Sequence, residues 1–262
     1  MFDFKVKMKY IFIKKRQILI FLLATVIFAL SIFVLKMTKA KEVFYDGNLK
    51  QLPIYSVERD DKKIAISFDC AWGVDYTDKL LTILCEEEIT CTFFVVEFWA
   101  EKYADYLKKI VENGHEVGTH SSTHPKLSLL DKPSIEKELL LSKQKIEDIT
   151  GKKVELFRPP FGDYNDTVIK TATENGLFSI QWDVDSLDWK DISAKEIANR
   201  VISKTKSGSI VLFHNQGKNT TVALPEIIKT LKEKGYTFVK ISDLIYKENY
   251  KILPNGRQIK NS

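Results

Sequence analysis

Residues 17–35 read QILIFLLATVIFALSIFVL, nineteen positions without a formal charge and without a polar stripe at helical spacing. At 1.5 Å per residue, such a helix just spans a hydrocarbon core of roughly 30 Å; a helix packed on a globular core would keep polar residues along one face. Beyond about residue 60 the pattern changes. Short apolar runs at 64–68, 92–96, 116–118, 154–157, 178–182, 209–213 and 237–241 read as strands. Between them lie amphipathic stretches at 75–88, 103–113, 134–150, 166–175, 194–204 and 225–234, which read as helices. Asn113-Gly114, Asn175-Gly176 and Lys234-Gly235 supply helix stops. Strand–helix alternation predicts parallel strands joined by helical crossovers. About seven strands suit one distorted parallel β/α barrel, with an open doubly wound sheet as the alternative that periodicity does not separate.

Charge divides the chain at the same place. The formal net charge is +5. Lys5, Lys7, Lys9, Lys14, Lys15 and Arg16 stand against Asp3 alone, so residues 1–16 carry the whole excess and the remainder is neutral. That removes any support for a nucleic-acid partner. Cations ahead of an apolar span predict a cytoplasmic N-terminus and an extracytoplasmic remainder, a single-pass protein of the cell membrane. A cleaved signal ending near Thr38-Lys39-Ala40 is the rival. The stretch is long for that purpose and Lys36 interrupts the approach, so an uncleaved anchor is expected. The organisation expected is a basic end at 1–16, a transmembrane helix at 17–35, a juxtamembrane linker at 36–60, a folded domain at 61–248 and a tail at 249–262. With 44% hydrophobic and 29% charged residues the chain is neither disordered nor wholly membrane-embedded. Three cysteines imply no disulfide framework. Cys85 and Cys91 are expected in the core.

Chemistry-bearing residues follow the predicted strands: Asp69 the first, His120 and His124 the third, Arg158 the fourth, Asp185 and Asp188 the fifth, His214 the sixth. In β/α barrels the loops after the strands build the active site, and five of the first six strands delivering such groups to one rim point to one. His120-Ser-Ser-Thr-His124 has i, i+4 spacing, which on a helical turn lets two imidazoles converge on one cation. Alone that spacing more often marks two satisfied or surface histidines; among only four histidines, after a Gly-containing strand end, the metal reading gains. His115 reads as a packing residue. Asp69 ends an apolar strand, and Arg158 in Arg158-Pro159-Pro160-Phe161-Gly162 is a natural partner to keep it ionised. Asp183, Asp185 and Asp188 with Trp182 and Trp189 would also suit a glycosidase, but that leaves the histidine pair unexplained. No G-x-S-x-G elbow occurs.

Together these segments resemble the polysaccharide deacetylases, the NodB-homology domain of carbohydrate esterase family 4, over roughly residues 63–244. The family's five motifs appear in order as Ser67-Phe68-Asp69-Cys70, His120-Ser121-Ser122-Thr123-His124, Arg158-Pro159-Pro160-Phe161, Asp185-Ser186-Leu187-Asp188-Trp189 and Leu212-Phe213-His214. The resemblance implies a distorted β/α barrel that hydrolyses N-acetyl groups from amino sugars of an envelope polysaccharide, most readily peptidoglycan. It implies a divalent metal, usually zinc, on His120 and His124. It further implies Asp69 as general base oriented by Arg158, and His214 backed by Asp188 as general acid. The Phe161 backbone N–H would hold the oxyanion, and Trp189 and Leu212 would line the sugar and acetyl pocket. One position departs: the family's third metal ligand is an aspartate where this chain has Cys70. A thiolate can bind zinc, giving Cys/His/His; alternatively Cys70 points into the core, as in a sporulation-associated branch where that position is often apolar. The second case would permit a weakly active or inactive glycan-binding module.

Overall fold

The computed structural model describes residues 51–261. The expected membrane span at 17–35, the basic end before it and most of the expected linker lie outside the described residues. The strands are β1 (Ser56–Val57), β2 (Lys63–Cys70), β3 (Thr92–Val95), β4 (Glu116–Thr119), β5 (Leu156–Phe157), β6 (Phe178–Ser179), β7 (Val184–Asp185), β8 (Ile210–His214), β9 (Thr237–Phe238), β10 (Tyr250–Ile252) and β11 (Arg257–Lys260). The helices are α1 (Thr77–Glu86), α2 (Glu97–Lys102), α3 (Ala104–Glu112), α4 (Lys132–Thr150), α5 (Asp166–Glu174), α6 (Ala194–Lys204), α7 (Thr220–Glu233) and α8 (Ile241–Leu244).

Seven strands form one parallel sheet in the order β6-β5-β4-β3-β2-β8-β7, and β9 pairs with the start of β2. This is the parallel strand–helix architecture that the alternation predicts, curled as a distorted barrel. The edge strands β6 and β7 are close in sequence, so residues 180–183 carry the chain across the open seam. Residue 54 is stitched to that crossing: its N–H donates to the Ser179 carbonyl (2.8 Å) and its carbonyl accepts from the Gln181 N–H (2.7 Å). Residues 51–57 therefore belong to the folded unit rather than to a linker. The expected tail is a β10–β11 hairpin whose second strand pairs with β1.

The two-residue period of the strands sorts their side chains into two apolar layers. Ile64, Ile66, Phe68 and Cys70 of β2, Phe93 and Val95 of β3, and Val211 and Phe213 of β8 pack in one, with α1, α4, α6 and α7 residues such as Leu80, Leu139, Val201 and Leu224. Ala65 of β2, Phe94 of β3, Leu156 of β5 and Ile210 of β8 occupy the other, with Ile54, Ile180 and Ile241. Asp69 shares the parity of Ala65, and Leu212 and His214 share that of Ile210, so strand alternation turns these three toward the second layer.

Helix ends follow local chemistry. Asp131 caps α4 by accepting from the Ser134 N–H (3.1 Å), and Gly151 ends it at φ 64°. Ser193 and Glu196 form a reciprocal capping box on α6. α7 opens at Thr220, earlier than the expected start at Pro225, and the Thr220 hydroxyl is held by Asp188 (2.7 Å). Strand β7 and helix α2 are too short to carry a period and were not expected. Cys91 is buried as expected, but Cys85 is exposed on α1, a correction to its expected place in the core.

Candidate active site

At the carboxyl end of the sheet a cleft of about 540 Å³ is lined by Asp69, His120, His124, Asp185, Leu212 and His214, with Trp72, Phe161, Trp182 and Trp189 among its walls. Asp69 and His214 are register partners on the neighbouring strands β2 and β8. The parallel sheet thus brings two groups 145 positions apart side by side.

Asp69 is buried and faces two partners. Arg158 Nη1 donates to its Oδ1 (2.8 Å), and His120 Nε2 lies 3.5 Å from its Oδ2. Burial would push its pKa up, but the charges of Arg158, His120 and His214 and the Arg158 hydrogen bond hold it below the usual carboxylate range. Arg158 is itself fully buried. Its guanidinium lies 4.1 Å from the Phe94 ring centroid and 5.6 Å from that of Trp182, and its Nη2 donates to the Gln181 carbonyl (3.1 Å). Gln181 also donates from Nε2 to the Gly162 carbonyl (3.1 Å), tying the Pro-Pro-Phe-Gly turn to the same residue. In that turn Phe161 is left-handed at φ 60°.

His120 and His124 converge, with ring centroids 4.9 Å apart. The means differs from the expected helical turn: residues 120–126 are irregular, and Ser121 (φ 70°) and His124 (φ 59°) are both left-handed. Such backbone is costly without glycine and needs support. Glu138 of α4 accepts from the Ser122 and Thr123 N–H groups (3.0 and 2.8 Å), Glu97 accepts from the Ser122 hydroxyl, and Ser121 Oγ accepts from the His124 N–H (3.0 Å). His120 Nδ1 is 2.7 Å from the Arg158 carbonyl, which can only accept. That nitrogen therefore carries the proton and Nε2 presents its lone pair toward Asp69. Burial pulls His120 down to about 4 and lowers His124 as well, so both are neutral near pH 7.

His214 meets Asp188 two ways. Its Nδ1 lies 2.8 Å from Asp188 Oδ1 and its backbone N–H donates to Oδ2 (2.8 Å), which also accepts from Thr220. Burial alone would lower the His214 pKa, but the Asp188 hydrogen bond and the charges of Asp188, Asp69 and Asp185 outweigh it and raise the value above 6.5. Gly217 permits this approach: a Cβ there would fall 2.5 Å from Asp188 Oδ2 and 2.1 Å from the Thr220 hydroxyl. Sequence reasoning passed over Thr220, Gly217, Gln181, Glu97 and Glu138.

Of the sequence-predicted residues, Asp69, Arg158, His120 and His124 form one contact group, Asp188 and His214 form a second beside it on the paired strand, and Phe161, Trp189 and Leu212 line the cleft. Cys70 is not among them. It is fully buried on the opposite face of β2 from Asp69, within the layer of Ile64, Ile66 and Phe68, and burial pushes its thiol pKa well up. This corrects the Cys/His/His possibility: strand parity turns Cys70 into the apolar layer, away from the face of β2 that carries Asp69. Asp183 also leaves the site, accepting from Ser209 Oγ and the Ile210 N–H (both 2.9 Å). His115 is buried against Phe93, as expected for a packing residue.

The two neutral imidazoles, one with its tautomer fixed by a carbonyl, fit a divalent cation. Among the described residues no group of three or more His, Cys, Asp or Glu side chains is arranged to hold a metal ion. The fit is thus to a two-histidine site beside a carboxylate, not to a three-sided protein cage.

A profile of the polysaccharide deacetylase family matches residues 56–179. The uncharacterised protein YlxY of Bacillus subtilis is 33% identical over 198 residues, 76% of this chain but 62% of its own length. A peptidoglycan-N-acetylglucosamine deacetylase of Bacillus cereus is 35% identical over 196 residues, 73% of this chain and 92% of that protein. Among solved structures, a carbohydrate esterase family 4 pseudoenzyme from Bacillus anthracis superposes with a TM-score of 0.72 at 36% identity, covering 75% of this chain and 69% of that one. A mutant of that pseudoenzyme with restored enzymatic activity superposes equally well, at 37% identity over 75% of this chain and 72% of its own.

Proposed function

The chain belongs to the polysaccharide deacetylase family, and from that premise we propose that it is a hydrolase that removes N-acetyl groups from amino sugars of peptidoglycan. The observation that carries the reading is the pair of opposed proton-transfer units. Asp69–Arg158 and His214–Asp188 sit on register-paired strands at one cleft, with the histidine pair beside Asp69. An acetamide is a poor electrophile; its hydrolysis needs an activated water, a stabilised oxyanion and a protonated leaving amine.

In this reading Asp69, kept ionised by Arg158, takes the proton from the attacking water. His214, whose protonated form Asp188 favours, gives a proton to the departing amine nitrogen. The Phe161 backbone N–H, in its left-handed turn, helps hold the oxyanion, and Leu212 and Trp189 receive the acetyl methyl and the sugar. His120 and His124 would hold a divalent cation, most fittingly zinc, which supplies Lewis-acid polarisation of the acetyl carbonyl. Acetate release from purified peptidoglycan by the full-length protein tests this, with release expected to stop on chelation and return on adding zinc. Release that survives complete chelation would sink the metal assignment.

A second reading is favoured by the burial of Cys70 at the position where the family carries its third ligand, together with the likeness to a pseudoenzyme. The protein would then hold glycan without turning it over. Glycan binding with no acetate release, despite supplied zinc, is the outcome that selects it.

We place the domain outside the cell membrane, anchored by residues 17–35, on the charge asymmetry about that span. Protease added to intact cells should digest the domain and spare residues 1–16. A mature secreted form beginning near Lys41 would show a cleaved signal instead.

A further inference from the structure

Among the described residues, seven large apolar side chains are exposed, and three of them, Trp72, Phe161 and Trp189, line this one cleft. Such clustering marks a binding surface rather than scattered surface hydrophobes. Phe161 and Trp189 belong to the motifs already discussed. Trp72 does not, yet it is 65% exposed, as much as Phe161.

Its loop is built to hold it there. The Gly73 carbonyl accepts from Trp99 Nε1 (2.7 Å) and from Asn215 Nδ2 (3.0 Å), fastening the loop to α2 and to the segment after β8. Gly73 is left-handed at φ 54°, and a Cβ there would fall 2.1 Å from the Gln216 side chain, which donates to Asp75 (2.8 Å). The indole rests on Phe98, with centroids 5.4 Å apart, and meets the edge of His124 at 6.1 Å. Two supports hold the ring while much of it faces solvent. A surface ordered before its ligand arrives loses little freedom on binding.

We propose that Trp72 is the stacking platform for the sugar that neighbours the one being deacetylated. The inference rests on the deacetylase reading for the identity of the ligand. The C–H-rich face of a pyranose is apolar and matches an exposed indole, while its rim hydroxyls stay in water. Trp72 lies beside His124 at the edge of the catalytic groups, where a neighbour of the sugar being deacetylated would sit.

The test compares calorimetric affinities of the full-length protein for a β-1,4-linked N-acetylglucosamine tetramer and for N-acetylglucosamine itself. Trp72→Ala is expected to weaken the tetramer by about tenfold, and the monomer by less than about twofold, with Trp72→Phe recovering much of the loss. Unchanged tetramer affinity in Trp72→Ala overturns the proposal. So does an equal loss for both ligands, which would make Trp72 a support for His124. Wild-type protein that binds neither ligand would remove the glycan reading along with it, whereas wild-type binding indifferent to Trp72 would remove the platform alone.

Discussion

Asp69→Asn is expected to lower acetate release by about 10²–10⁴-fold, the usual loss when a proton-transfer group is removed. Asparagine keeps the shape: its oxygen can still accept from Arg158 Nη1, and its amide can face His120 Nε2, the contacts that Asp69 makes at 2.8 and 3.5 Å. It cannot take a proton from water. The same change strips the counter-charge from a guanidinium that is fully buried. Removing one partner of such a pair costs about 3–5 kcal/mol, an upper figure here because the hydrogen bond survives. A drop in melting temperature should therefore accompany the loss of rate, and kcat must be measured where the variant is folded. The double variant Asp69→Asn with Arg158→Met separates the two effects: it should regain stability and stay inactive. Folded Asp69→Asn protein with more than about a tenth of the wild-type rate would remove Asp69 from the role of base.

The side-by-side placing of base and acid was legible because both end apolar runs in a chain that alternates strands with helices. Parallel strands align their carboxyl ends, so a residue just past each run arrives at one rim whatever its distance in sequence. Cys70 was left open for a related reason. Its parity with Ile64, Ile66 and Phe68 was present in the sequence, but which face of β2 meets helices is decided by the curl of the sheet.

What the sequence did not disclose is support drawn from far along the chain. The i, i+4 spacing of His120 and His124 suggested a helical turn, yet two left-handed residues bring the rings together. That backbone depends on Glu138, which reads in sequence as ordinary helix surface, and on Glu97, which directly follows the predicted strand 92–96. Gly217 likewise reads as a loop residue until Asp188 is seen to occupy the space its Cβ would need. Residues 51–57 and 250–260 lack strong period because each strand there is two to four residues long, and pairing with one another organises them.

The second large effect concerns His214. Its alanine variant should lose about 10²–10⁴-fold in rate with little change in fold, because the side chain is partly exposed at the rim and Asp188 keeps its bonds to the residue 214 N–H and to Thr220. The sharper measurement is the pH dependence of kcat/KM, which reports the free enzyme's acid and base. A general acid works while protonated, so a pKa raised above 6.5 carries activity to higher pH than an ordinary histidine would allow, and the alkaline limb falls as His214 deprotonates. Asp69, held below the usual carboxylate range, stays ionised well into acid, so it does not set the limb near neutrality. Asp188→Asn removes the charge that raises His214. Turned with its oxygen toward His214 Nδ1, the amide sets its NH₂ against the His214 N–H, donor to donor; turned the other way, the NH₂ donates to an unprotonated Nδ1 and favours the neutral ring. The alkaline limb should therefore move to lower pH and the maximum rate should fall. A profile whose alkaline limb stays in place in Asp188→Asn would show that some group other than the His214–Asp188 pair delivers the proton to the leaving amine.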